Sequence, residues 1–190
     1  MRGASGSFGV VTSIQVETFA APASATVFTY TWDFSAAEAA NATQQFQNYV
    51  QGNIPQEFGA EIDLGRGSAS GRVAFSLVGG WYAPADEFAA VIAPFLDNLP
   101  SPSQQTITPG TYIESVQNLG GLGRLSTTGI PDSHDTFYAK SITTPEASPM
   151  TSTALNAFMS YLGDEGFTAD TVRLSKIFLY RHCLFISVQS

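Results

Sequence analysis

Strand-like stretches occur in pairs along this chain, and single helix-like stretches separate the pairs. The clearest strand pattern lies at residues 25–33, where β-branched and aromatic residues alternate with a period of two. This alternation predicts a strand with two chemically different faces. One face collects aromatic side chains and the other collects smaller ones: Phe28, Tyr30 and Trp32 against Val27, Thr29 and Thr31.

The order of the remaining patterns predicts the fold class. Ser35 and Glu38 have the spacing of a capping box, so we expect a helix to begin after Ser35. Alternating strand pairs and helices predict an α+β fold: an antiparallel sheet of about six or seven strands with helices packed on one face. The strand-like stretches are 10–19, 25–33, 58–65, 71–79, 104–116 with a break at Pro109-Gly110, 136–142 and two within 172–188. We expect helices at 36–51, 84–96 and 150–162, and a loop at 118–123.

The second face of such a sheet is either covered or exposed to solvent. We expect it to carry aromatic side chains, from Phe or Tyr within 28–32 and from Phe137 or Tyr138. An exposed aromatic face indicates a binding surface. It could also bury itself in a homodimer.

Charge and composition exclude several classes of function. The 190 residues are 44% hydrophobic and carry a formal net charge of −8, so binding to nucleic acid through bulk charge is not expected. No apolar run is long enough to span a membrane as a helix. One cysteine, Cys183, gives no disulfide framework.

The candidate catalytic and metal-binding residues are few. Asp132, His134 and Asp135 lie in a polar loop, where we interpret His134 as a solvated side chain and expect no metal site. His182 and Cys183 are neighbours on a predicted strand, so their side chains point to opposite faces and cannot converge. We therefore assign no catalytic and no metal-binding residues.

Two pairs of polar residues share a strand face. Glu61 and Asp63 flank Ile62, and their carboxylates either perform acid–base chemistry or are simply solvated. Tyr138 and Lys140 either bind a polyol or anion, or the tyrosine covers the lysine stem at the surface.

The first residues, 2–12, form a glycine-rich stretch followed by an apolar run. Such a stretch can make a tight turn with exposed backbone N–H groups, or an ordinary loop. It lacks the Gly-Lys-Ser/Thr of a phosphate-binding loop and does not open a helix.

These stretches resemble a known family. Residues 2–12, Arg-Gly-Ala-Ser-Gly-Ser-Phe-Gly-Val-Val-Thr, are similar to a segment of the FAD-linked oxidases of the berberine-bridge-enzyme-like branch of the vanillyl-alcohol oxidase superfamily. Residues 136–141 and 181–189 resemble two segments of its fungal glucooligosaccharide-oxidase subgroup. The resemblance runs along the whole chain in order.

The resemblance implies a division of the chain and a set of site residues. Residues 1–20 would be the end of an FAD-binding domain leading into the first strand, and 21–190 a substrate-binding α+β domain. The aromatic sheet face would then cover the flavin ring. By the same likeness, FAD contacts fall on Gly6, Ser7, Gly9 and Val11, and sugar contacts on Tyr138, Gln189 and Arg72.

The chain also departs from the family. The upstream FAD domain, its covalent flavin attachment residues and the region of the catalytic Tyr and Asp fall outside 1–190. We therefore expect no cofactor and no oxidase activity in the isolated chain, because the flavin carries the redox chemistry. The alternative is a stand-alone binding or effector protein that reuses this fold for a glycan, a protein or a membrane component. The likeness implies a fungal, extracellular protein, although the first residues do not form a signal peptide.

Overall fold

The computed structural model describes residues 12–120, 139–145, 148–164, 175–180 and 183–189. For the strands within 139–145, 175–180 and 183–189, the description covers backbone and pairing. These residues form one antiparallel sheet with helices against it, which confirms the α+β class.

The strands pair in the order β4-β1-β3-β2-β6-β7-β5. Four of them, β1 to β4, are described with their side chains. Neighbouring strands are antiparallel throughout. The strands are β1 (Ala25–Ser35), β2 (Phe58–Arg66), β3 (Arg72–Trp81), β4 (Gln104–Gly110), β5 (Ala139–Pro145), β6 (Ser175–Tyr180) and β7 (Cys183–Gln189).

Four α-helices are described: α1 (Ala36–Gln51), α2 (Phe88–Leu96), α3 (Tyr112–Leu119) and α4 (Ser152–Gly163). As predicted, Ser35 and Glu38 begin α1 with a capping box, in which the Ser35 hydroxyl accepts from the Glu38 N–H and the Glu38 carboxylate accepts from the Ser35 N–H. A short 3₁₀ turn at Ala85–Glu87 precedes α2.

The core lies between the sheet and helices α1, α2 and α4. Phe28 of β1 stacks on Phe88 of α2 with ring centroids 4.8 Å apart. Phe46 of α1 packs edge-on against Phe95 of α2 at 5.4 Å. The buried positions of β1, β2 and β3 alternate, so one face of each strand supplies the core. We call this the core face and the opposite one the outer face.

Helix α3 is the exception to the predicted one-sided packing. It lies against the outer face at the β4–β1 edge, where Ser115 faces Val27 across a cleft. The strand-like pattern at 104–116 is broken by Pro109-Gly110, and β4 ends at Gly110. The strand predicted after this break is wrong, because α3 begins at Tyr112. Of the loop predicted at 118–123, Asn118 and Leu119 belong to α3, and 121–123 lie outside the described residues. A second capping box, Thr111 with Glu114, favours the helix.

The predicted strand at 10–19 is wrong for its described part. Residues 12–24 form neither helix nor strand. Ile14, Val16 and Phe19 are 78%, 69% and 86% exposed. An alternating sequence becomes a strand when a neighbour satisfies its backbone, and no described strand pairs with this segment.

Candidate functional site

A row of polar residues crosses the outer face of the sheet. In the strand register, Thr31 lies opposite Ser76, Ser76 opposite Asp63, and Asp63 opposite Lys176. Directly opposite residues on antiparallel strands have Cβ atoms about 4.5–5.5 Å apart, so these positions form one continuous line. The full row, named the polar row, is Gln104, Thr31, Ser76, Asp63, Lys176, Ser187 and Ser141.

Residues on the core face are more deeply buried than their neighbours on the outer face. Ile62, which separates Glu61 from Asp63, is fully buried, whereas both acidic residues are half-buried. The two carboxylates therefore share the outer face, as the alternation predicts. Thr29 and Thr31 of β1 are half-buried on the same face. The outer face is thus lined with hydroxyl and carboxylate groups near its centre.

The predicted exposed aromatic face is wrong for residues 28–32. Phe28, Tyr30 and Trp32 are 0%, 2% and 4% exposed and belong to the core. The two faces of β1 were separated correctly by the sequence pattern. The helices cover the aromatic face because burying large rings is the more favourable arrangement. Phe137 and Tyr138 lie outside the described residues.

Aromatic groups do reach the outer face, at one end of the sheet. The Tyr82 ring covers Gly80, because a Cβ added at Gly80 would lie 2.9 Å from Tyr82 Cζ. Tyr112 at the start of α3 packs against Tyr82 with ring centroids 6.1 Å apart. Each ring offers an apolar surface and a hydroxyl. The sequence pattern missed this pair because the two residues come from different elements.

Arg72 is held by residues of its own chain. Its Nε donates to Asp33 Oδ2 at 3.1 Å, and its guanidinium also donates to the Asp33 carbonyl. The Ser68 hydroxyl donates to the same Asp33 carboxylate at 2.7 Å. The hydrogen bonds from Ser68 and the Arg72 charge lower the pKa of Asp33. These contacts tie β1 to the β2–β3 turn; a sugar contact by Arg72 stays a prediction.

The other predicted site residues are described less fully. Gln189 ends β7 opposite Ala139 of β5, the residue that follows Tyr138. Tyr138 lies outside the described residues, so sugar contacts by Tyr138 and Gln189 stay predictions. The predicted FAD contacts, Gly6, Ser7, Gly9 and Val11, and also His134, lie outside the described residues.

A cleft of about 510 Å³ lies between α3 and the β4–β1 edge. Ligand pockets have volumes of about 300–1,000 Å³. Its position follows from the capping box that fixes the start of α3. The lining residues are Ala25, Val27, Thr108, Pro109, Gly110, Glu114, Ser115, Gln117 and Asn118.

The described residues do not fit a complete FAD site. Within 12–120 and 148–164 the cationic side chains are Arg66 and Arg72, and Arg72 is engaged by Asp33. The N-termini of α1 and α3, which could bind a phosphate, are closed by Glu38 and Glu114. The outer face could cover a planar ring, but these few groups do not by themselves form a pyrophosphate pocket.

The described part of the chain lacks two further kinds of feature. It contains no group of three His, Cys, Asp or Glu residues that could hold a metal ion. None of its helices has the length and apolar character needed to cross a membrane.

Comparison with known proteins finds similarity to carbohydrate oxidases. No family model matches. A chitooligosaccharide oxidase of Gibberella zeae is 24% identical over 168 residues, which cover 87% of this chain and 32% of that protein. A glucooligosaccharide oxidase of Sarocladium strictum is 24% identical over 166 residues, covering 86% and 31%. The chain thus spans about a third of the length of these relatives.

Solved structures show the same fold. A chitooligosaccharide oxidase superimposes with a TM-score of 0.75 at 18% identity, over 90% of this chain and 39% of that one. A berberine bridge enzyme variant superimposes with a TM-score of 0.68 at 14% identity, over 87% and 36%. The chain therefore resembles FAD-linked oxidases of the chitooligosaccharide, glucooligosaccharide and berberine-bridge-enzyme-like type, as the motifs indicate.

Proposed function

We propose that this chain is the substrate-binding part of an FAD-linked carbohydrate oxidase and that its outer face binds an oligosaccharide. The observation that carries the proposal is the polar row, which crosses the sheet on the face opposite helices α1, α2 and α4. The names of the relatives, chitooligosaccharide and glucooligosaccharide oxidase, support this class of ligand.

The side chains of the outer face suit a sugar. The hydroxyls of Thr31 and Ser76 can donate and accept, and the Asp63 carboxylate accepts from a sugar hydroxyl. Tyr82 and Tyr112 add apolar surface at one end of the same face. In the intact oxidase, a bound flavin would supply the redox chemistry, while these residues would hold and orient the sugar.

Asp63→Asn is expected to weaken binding of a glucooligosaccharide about tenfold, because hydrogen bonds to a charged acceptor contribute about 1.5–3 kcal/mol. Isothermal titration calorimetry of the purified chain measures the change. Asp97→Asn, at an exposed position just after α2, is the matched control and should bind as the unchanged chain does. Equal affinities for all three proteins would rule out Asp63 as a sugar contact.

We also propose that the isolated chain has no oxidase activity. Two observations on the described residues support this: Asp33 engages Arg72, and Glu38 and Glu114 cap the N-termini of α1 and α3. Purified chain mixed with FAD and a glucooligosaccharide should give no protein-bound flavin spectrum and no hydrogen peroxide. Sustained peroxide production would refute this. Sugar binding without turnover would also suit a stand-alone extracellular binding protein, which is the second candidate.

A further inference from the structure

We propose that the cleft between α3 and the β4–β1 edge is a second saccharide subsite, which holds the part of an oligosaccharide that extends beyond the polar row. This inference rests on the proposed function, because it extends the same outer face. Strand β1 runs from the cleft to the polar row. Val27 lines the cleft, and Thr29 and Thr31 follow it on the same face. At about 3.3 Å per residue, Val27 and Thr31 lie about 13 Å apart.

The lining of the cleft selects for a neutral ligand rich in hydroxyl groups. Ala25 and Val27 lie at the base of the cleft and are only 1% and 6% exposed, whereas the side-chain amides of Gln117 and Asn118 contribute donors and acceptors. Among the described residues, the lining includes no lysine or arginine that would attract a phosphate. A sugar ring suits this lining because its hydroxyls can donate to and accept from the two amides.

The Glu114 carboxylate forms hydrogen bonds within the protein. Its Oε2 accepts from the Thr111 N–H at 2.7 Å and from the Thr111 hydroxyl at 2.9 Å. These hydrogen bonds lower the pKa of Glu114, so the carboxylate stays ionised and fixed at the helix start. Glu114 therefore shapes the cleft and does not make it a cation site.

The walls of the cleft are held in a fixed arrangement. A Cβ added at Gly110 would lie 2.8 Å from Glu114 Oε2, so glycine is needed there for the helix to approach the strand this closely. Ser115 is 3% exposed, and its hydroxyl donates to the Tyr112 carbonyl at 2.7 Å. A preformed cavity loses less conformational entropy when a ligand binds.

The test compares glucose with glucooligosaccharides of increasing length by isothermal titration calorimetry. In the double variant Gln117→Met and Asn118→Leu, the amides are replaced by apolar groups of similar size that favour helix. We expect this variant to bind glucose as the unchanged chain does and to bind the longest oligosaccharide about tenfold more weakly, since each net hydrogen bond contributes about 0.5–1.5 kcal/mol. Asn53→Ala, an exposed amide after α1, should change neither.

The outcomes separate this inference from the proposed function. If the double variant matches the unchanged chain at every length while Asp63→Asn still weakens binding, the subsite is wrong and the proposed function stands. If the double variant weakens glucose and long oligosaccharides equally, the cleft is the primary site and the second-subsite proposal is also wrong. If the unchanged chain binds none of the sugars, the proposed function and this inference both fail.

Discussion

Phe28→Ala is expected to lower the free energy of unfolding by about 3–5 kcal/mol, the range found when a large buried aromatic is truncated. Phe28 has no exposed surface, and its ring stacks on Phe88 and on Phe58 with centroids 4.8 Å and 5.5 Å apart. The free energy of unfolding of a whole domain is about 5–15 kcal/mol. The expected loss is therefore a large fraction of the stability of this domain. Urea unfolding followed by tryptophan fluorescence measures it.

The control is the next residue along β1. Thr29→Ala lies on the outer face and should change stability by less than about 1 kcal/mol, the span of strand propensities. Phe28→Leu keeps an apolar side chain in place if the alanine variant fails to fold. A severe loss at Thr29 with a mild one at both Phe28 variants would mean that the faces of β1 are assigned the wrong way round.

Gly79→Ala is expected to cost about 1–3 kcal/mol or more, as overpacking of a well-packed core does. Gly79 lies opposite Phe28 in the sheet register. A Cβ there would meet the Gly59 carbonyl oxygen and would lie 2.6 Å from Phe28 Cζ and 2.9 Å from Ala60 Cα. Two of these contacts are backbone atoms of β2, so β2 and β3 would have to move apart.

Gly65→Ala provides the matched comparison on β2. A Cβ at Gly65 meets nothing within 4 Å. Its effect should be neutral or stabilising by about 0.4–1 kcal/mol, because alanine has fewer unfolded conformations than glycine. Parallel denaturation curves of the two variants measure the difference. If both alanines are tolerated equally, the close packing of Phe28 on Gly79 is not present in solution.

The sequence predicts most of the local structure because its signals are local. The alternation in β1 and the capping box of Ser35 and Glu38 each depend on residues close in the chain, and both are found. The same type of signal, Thr111 with Glu114, was available for α3 and was obscured by the strand-like residues before it. The segment at 12–19 shows the converse, since alternation without a paired neighbour gives no strand.

The candidate site depends on long-range pairing, which the sequence does not display. Glu61 and Asp63 could be placed on one face, but the alignment of Asp63 with Ser76 and Thr31 exists only in the sheet register. Arg72 illustrates the same limit, because its partner Asp33 lies 39 residues earlier in the chain. Helices α1, α2 and α4 cover the aromatic face of the sheet. This arrangement depends on how the whole domain packs, which a local sequence pattern does not display.

The polar row also bears on how far this surface can be redesigned. A slip of one residue between two strands exchanges their faces, so Asp63 would move under the helices and Ile62 would move into water. The penalty for that exchange protects the pairing of β2 with β3. Replacing Thr31, Ser76 and Asp63 together with apolar residues, to favour a less polar ligand, would reduce the penalty. Engineering of ligand preference here should therefore keep at least one charged side chain in the row, so that misaligned and aggregating strand pairings stay unfavourable.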